Sequence, residues 1–282
     1  MKITLLGTGG PLPDAFRAGP STLVEAGGQQ ILVDSGRACV MRLAACGVPP
    51  AFINTVLLTH LHSDHICDLN DVVTTRWITS PASEPLRIVG PVGTRRVVEA
   101  LLAMLALDEE YRLAHHADLR TVGGMKVDVI EVNPGDTLTI AGVNVSAHRT
   151  DHRPVAPTIG YRIEHDGKVA ALAGDTVPCA ELDQMCSDAD VYVQTVLRED
   201  MVRALGDMLP APASGRLLDI LDYHSTVEQA GQTAARNNVK HLVLTHFVPA
   251  PPVGTETEWC QPASAFFNGK IVAGPDLTSV TV

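Results

Sequence analysis

The chain has 282 residues, 45% of them apolar, and carries 21 Lys plus Arg against 32 Asp plus Glu, a formal net charge of −11. That composition supports a sizeable core and one unit spanning 1–282, and its charge disfavours a polyanionic partner unless a local basic patch exists; no Lys/Arg run makes one. No apolar run reaches the roughly 20 residues of a membrane span, no secretory signal precedes Gly7-Thr8-Gly9, and six cysteines without Cys-x-x-Cys spacing read as free thiols, so a reducing cytoplasm is expected.

Short runs of Val, Ile and Leu bounded by Gly, Pro or Asp predict strands. In chain order they are Ile3–Leu6, Ile31–Val33, Thr55–Leu58, Leu86–Val89, Lys126–Glu131, Val143–His148, Thr158–Glu164, Val169–Ala173, Val191–Val196, His241–Leu244 and Lys270–Val272. Helical periodicity is clearest over Ala38–Cys46, Leu69–Ile78, Thr94–Leu105 and Thr226–Asn237. Strands in series, interrupted by helices, fit an α/β sandwich of two sheets with helices outside. Val56-Leu57-Leu58-Thr59-His60 is echoed by Leu242-Val243-Leu244-Thr245-His246, which suggests two related halves.

The chemistry concentrates at His60-Leu61-His62-Ser63-Asp64-His65, directly after an apolar strand. Alternate residues of an extended chain share a face, so His60 and His62 can reach one metal. The chain then turns into a helix with the apolar stripe Leu69, Val72, Val73 and Trp77, and Asp64 and His65 can reach a second metal. The plainer alternative, a His-rich surface loop, fits poorly with three His and one Asp in six residues. Further candidates also lie past strand ends: His152 (with His148 as competitor), Asp175 and His246. Gly174 allows a tight turn before Asp175, whose two oxygens could touch both ions. Each of these alone would more often be an ordinary polar side chain or turn residue. Imidazoles with carboxylates suit two Zn²⁺ ions; Mn²⁺ or Fe²⁺ also fits such donors. Ser225-Thr226-Val227-Glu228 has the form of a capping box. It would fix His224 just ahead of a helix, where it could stabilise a developing anion or donate a proton; the alternative is a surface histidine beside a cap.

Four stretches together resemble the metallo-β-lactamase superfamily, in its ribonuclease Z-like and arylsulfatase-like branch. They are Leu5-Leu6-Gly7-Thr8-Gly9; Thr59 to His65; Gly160-Tyr161-Arg162 with Ala173-Gly174-Asp175-Thr176; and His224-Ser225-Thr226 with Leu244-Thr245-His246. The resemblance implies a four-layer αβ/βα sandwich and a dinuclear hydrolase. It places His60, His62 and His152 on one metal, Asp64, His65 and His246 on the other, and Asp175 between them. Two such metals would supply hydroxide at neutral pH, oriented by Asp64, with His224 serving the leaving oxygen.

The chain also departs from the tRNA-processing members it resembles. Their long arm has no counterpart between Tyr161-Arg162 and Val169, where a hairpin is predicted. Their Glu that pairs with the catalytic His is absent from Val193-Gln194-Thr195-Val196-Leu197. With the negative charge, which weakens phosphate contacts, these favour a small-molecule ester as substrate: a phosphodiester, sulfate ester, carboxylic ester or lactone. A ribonuclease Z-type tRNA 3′-processing endonuclease stands second, with tRNA disfavoured as partner, and a non-catalytic metal-binding protein third. A homodimer is expected, as in many relatives. His115-His116-Ala117-Asp118 reads as an exposed helix end rather than a lid, and Cys67 and Trp77 as packing. The apolar segment Arg198–Gly215 would cover the site, form a dimer contact, or be an ordinary helix.

Overall fold

The structure, a computed structural model, describes residues 1–79 and 84–282. The first half of the chain gives strands β1 (Lys2–Gly7), β2 (Ser21–Ala26), β3 (Gln29–Val33), β4 (Thr55–Leu57), β5 (Leu86–Gly90) and β6 (Val127–Glu131). The second gives β7 (Thr137–Ile140), β8 (Val143–Arg149), β9 (Ile159–His165), β10 (Lys168–Leu172), β11 (Val191–Leu197), β12 (His241–Val248) and β13 (Lys270–Ala273). A last strand, β14 (Ser279–Thr281), returns to pair with β1. The helices are α1 (Cys39–Ala45), α2 (Ser63–Ile66), α3 (Leu69–Thr79), α4 (Thr94–His115), α5 (Ala117–Val122), α6 (Ala180–Cys186), α7 (Glu199–Met208), α8 (Ala213–Asp219), α9 (Val227–Arg236) and α10 (Cys260–Ser264).

Two seven-stranded mixed sheets form, in the orders β14-β1-β2-β3-β4-β5-β6 and β13-β12-β11-β10-β9-β8-β7. Strand period decides the layering, because successive side chains leave opposite faces. Ile31, Val33 and Leu57 from one sheet meet Val145, Tyr161, Leu172 and Val243 from the other in a shared core. The alternate residues Leu32, Val56 and Leu58 face outward onto Leu43, Val72 and Val98 of α1, α3 and α4. Leu242 and Leu244 do the same toward Val227, Ala230 and Ala263 of α9 and α10. Each sheet is therefore buried on both faces, and the expected four-layer αβ/βα sandwich is the observed fold.

The eleven predicted strands are present. β2, β7 and β14 escaped prediction, the last two because they are short edge strands with polar residues at alternate positions. α4 runs ten residues past Leu105, since its later turns are half-exposed and held by local pairs such as Arg112–Asp108 at 2.7 Å rather than by an apolar stripe. The helix after His224 starts later than expected. Thr226, not Ser225, is its cap, closing a reciprocal box with Gln229, while Ser225 Oγ donates to the Thr176 carbonyl at 2.7 Å. Arg198–Gly215 folds as α7 and the start of α8. Trp77 is buried as expected, but Cys67 is exposed, a correction to the packing role: it falls in the break between α2 and α3. Among the described residues no helix is long and apolar enough to cross a membrane.

Candidate metal centre

The loops past the ends of the strands meet at one place. β4 ends at Leu57, and Leu58 still donates to the Val89 carbonyl before the chain leaves the sheet toward His60. Buried Tyr161 of β9 reaches across the sandwich, its hydroxyl donating to the Leu58 carbonyl at 2.8 Å, and so fixes the point of departure. β12 delivers His246 on a left-handed backbone, φ 48°, held by the Phe247 N–H donating to the Thr8 carbonyl at 3.0 Å. Gly174, φ 65°, allows the chain to pass Thr59: an added Cβ would lie 2.7 Å from the threonine's Cβ.

His60, His62, His152 and Asp175 form one group of mutually close ligand atoms, and Asp64, His65 and His246 another. Asp175 Oδ2 lies at the middle, 3.8 Å from His60 Nε2, 3.4 Å from His65 Nε2, 3.9 Å from His152 Nε2 and 3.7 Å from His246 Nε2. All seven residues singled out from the sequence thus converge. All but His62, which faces the cleft, are buried. His148 stays on β8, bonded through Nε2 to Ser146 Oγ at 3.0 Å, away from the cluster. His115 and His116 cap α4 in solvent.

Hydrogen bonds fix which ring nitrogen of several imidazoles faces inward. A backbone carbonyl only accepts, so His152 Nδ1, 2.8 Å from the Tyr223 carbonyl, carries a proton and leaves Nε2 free toward the cluster. His65 Nδ1 likewise donates to Asp34 Oδ2 at 2.8 Å. The Thr59 hydroxyl donates to the same carboxylate at 2.8 Å, so it accepts from His60 Nδ1 at 3.0 Å and turns His60 Nε2 inward. Asp34 also accepts the Thr59 N–H at 2.8 Å. This one carboxylate, missed in the sequence, orients histidines of both groups. The signal was available: Val33-Asp34-Ser35-Gly36 is another strand end carrying a ligand-type residue. Partners of this kind set ligand tautomer and basicity. Asp34→Asn should weaken metal affinity about 10–100-fold, measured by chelator competition; unchanged affinity would mean the imidazoles hold their orientation without it.

The donor set fits metal ions. His65 Nε2 and Asp175 Oδ1 are buried polar atoms of the cluster with no hydrogen-bond partner among the described residues, an arrangement that costs on the order of 1–3 kcal/mol each unless a ligand compensates it. Burial, with neighbouring imidazoles, pushes the pKa of His60 well down and also lowers those of His62 and His152, leaving neutral rings with lone pairs to donate. Burial opposes ionisation of Asp175, but His246, His65 and His224 outweigh it and hold the carboxyl well below the ordinary range. Burial likewise opposes protonation of His65, and Asp175 and Asp34 reverse it. A field that favours a proton there favours a metal cation.

His224 stands at the edge of the cluster. Its Nδ1 donates to the Ile220 carbonyl at 3.2 Å, and its Nε2 is 3.2 Å from Asp175 Oδ2. The expected partner strand supplies no acid: Thr195 donates to the Gly174 carbonyl at 2.9 Å and Gln194 is engaged by Tyr192. The Ile220 carbonyl, in a 3₁₀ turn at Ile220–Asp222, therefore fills the place of the absent glutamate.

A family model described as the β-lactamase superfamily domain matches residues 29–247. A protein of Mycobacterium avium (strain 104) named "Ribonuclease Z" is 50% identical over 284 residues, covering 100% of this chain and 98% of its own. One of Mycobacterium marinum with the same name is 49% identical, at 100% and 99% coverage. Among solved structures, the metallo-β-lactamase fold protein YhfI from Bacillus subtilis matches with a TM-score of 0.72 at 21% identity, covering 99% of this chain and 98% of that one. The short form of human tRNase Z matches with 0.72 at 20%, covering 100% and 99%. At such identities the structures establish the fold alone.

The two ribonuclease Z relatives overturn the preference for a small-molecule ester with tRNA disfavoured. The hairpin that argued for it is real, His165 pairing with Lys168. Yet an alignment of 284 residues over 98% of the relative leaves no room there for a long extra arm either, so its absence does not separate the two substrate classes. The net charge of −11 is a whole-chain average and says nothing of the cleft. The relatives' name also weighs against a protein that only binds metal. Fold, ligand geometry and full-length similarity agree that the chain belongs to the β-lactamase superfamily and, within it, to the ribonuclease Z family of metal-dependent hydrolases.

Proposed function

We propose that the protein is a ribonuclease Z-type endonuclease that cleaves a phosphodiester bond at the 3′ side of precursor tRNA. The reading rests on 50% identity to ribonuclease Z relatives along the whole chain. Two zinc ions suit the nitrogen and oxygen donors. His60, His62 and His152 would hold one and Asp64, His65 and His246 the other, with Asp175 shared. When bound, such a pair lowers the pKa of water and neutralises phosphate charge.

The chain's own groups do the rest. Asp64 lines the cleft with Oδ2 3.3 Å from His246 Nε2 and orients the attacking water. His224, held through Nδ1 by Ile220, directs Nε2 at the reaction centre and holds there the proton that the leaving oxygen needs. The test is incubation of metal-loaded protein with a precursor tRNA bearing a 3′ trailer, with products mapped on a sequencing gel. Cleavage at the 3′ boundary is expected; intact precursor at full metal occupancy would sink the reading. Asp175→Ala should lose at least one ion per chain by elemental analysis. Retention of two would mean that Asp175 bridges nothing.

A further inference from the structure

The cleft over the metal centre encloses about 560 Å³. One wall is the loop Gly10–Asp14 with Val248–Ala250; the other is Arg216, Leu217, Ile220 and Tyr223. Among the described residues lining this space, Arg216 alone is a Lys or Arg.

Arg37, Arg96 and Arg149, like Arg216, lack an ion pair among the described residues, but none of them lines this cleft. Nearby arginines have carboxylate partners: Arg17 with Glu256 at 2.6 Å, Arg198 with Asp200 at 2.6 Å, Arg203 with Glu199 at 2.6 Å. Arg216 is exposed, and among the described residues its guanidinium has neither an ion pair nor a hydrogen bond. Its helix is nonetheless anchored. Ser214 Oγ donates to the Gly206 carbonyl of α7 at 2.9 Å, and Leu218 packs against Gly206, where an added Cβ would meet its Cδ2 at 3.0 Å. At 100° per residue, Leu218 lies about 200° around α8 from Arg216. Docking Leu218 on α7 therefore turns Arg216 toward the cleft, with Ile220, four residues on, along the same side. A guanidinium is a fixed fork of donors matched to phosphate oxygens.

We propose that Arg216 binds a phosphate of the RNA strand next to the scissile one, and so sets this centre's preference for a polynucleotide over a small diester. The proposal rests on the ribonuclease reading above. The test compares wild type, Arg216→Ala and Arg216→Lys, each metal-loaded with its metal content verified, on precursor tRNA and on bis-p-nitrophenyl phosphate. Loss of a charged hydrogen bond predicts that the ratio of kcat/KM for RNA to that for the diester falls about 10–100-fold in Arg216→Ala. The slope of log KM for RNA against log salt should shrink by about one. Arg216→Lys should keep the salt slope and recover part of the ratio. An unchanged ratio in Arg216→Ala, or equal losses on both substrates, overturns the proposal and leaves the ribonuclease reading standing. Failure of the wild type to cut RNA while it hydrolyses the diester overturns both.

Discussion

His224→Ala should lower kcat for precursor tRNA by about 10²–10⁴-fold, the range of a lost general acid, while both metals remain bound. The reason is geometric. His224 is buried, its Nδ1 is committed to the Ile220 carbonyl, and only Nε2 faces the reaction centre. Truncation removes the proton donor and leaves the imidazoles of the two metal groups in place. Rapid-mixing single-turnover kinetics with elemental analysis checks it. A metal loss in step with activity would instead make His224 a ligand, a role its 3.2 Å approach to Asp175 and its grouping with Asp175 and His246 would permit. Nearly full turnover with normal metal content would leave proton transfer to water.

The second large effect concerns stability. Arg17 and Glu256 are a buried pair, 2.6 Å apart and 1% and 4% exposed in their side chains. Arg17 also donates to Thr8 Oγ1 and to the Pro251 carbonyl, each at 2.9 Å, and its guanidinium lies 5.6 Å from the centre of the Phe247 ring. The pair thereby ties the loop after β1 to the loop after β12, the two that form one wall of the cleft. Glu256→Ala leaves a buried cation without its counter-charge, which costs about 3–5 kcal/mol. In a domain of this size the melting temperature should drop by roughly 6–20 °C, read by calorimetry. Arg17→Met with Glu256→Met should fall by less than Glu256→Ala alone, because no uncompensated charge remains. An equal or larger fall would show that Arg17's other bonds carry the stability.

pH gives the same interaction a sign. Burial raises the Glu256 carboxyl pKa, but backbone N–H groups and Arg17 outweigh it and set the value below the usual glutamate range. The unfolded chain then binds more protons, so the contribution is complete above the ordinary value of about 4.3 and is lost as pH falls below it.

How far the sequence could be read depended on whether a residue's role was local. The leading His motif, Asp175 and His246 were legible because each ligand follows an apolar strand, and strand alternation sets its direction. The sandwich was legible from the same runs. Asp34 was not singled out, since its work is to orient other side chains across 31 residues of sequence to His65. The partner of His224 stayed open once the acid was seen to be absent from Val193–Leu197; a main-chain carbonyl four residues upstream fills the place, and a carbonyl has no signature in sequence. The substrate was misjudged because net charge averages over the surface and cannot place one arginine beside a cleft. The cap of α9 slipped by one residue because Ser225 and Thr226 are both competent caps; Thr176, distant in sequence, claims Ser225.

His246 has a consequence beyond ligation. Together with Asp34, φ 58°, it occupies backbone that L-residues other than Asn, Asp and His seldom adopt, at a cost on the order of 1 kcal/mol each. Glycine would relieve the backbone at both positions, but at 34 it would also remove the carboxylate that accepts from Thr59 and His65. Backbone strain is thus kept at one ligand and at the carboxylate that orients its neighbours, positions where the side chain and not the backbone decides the residue.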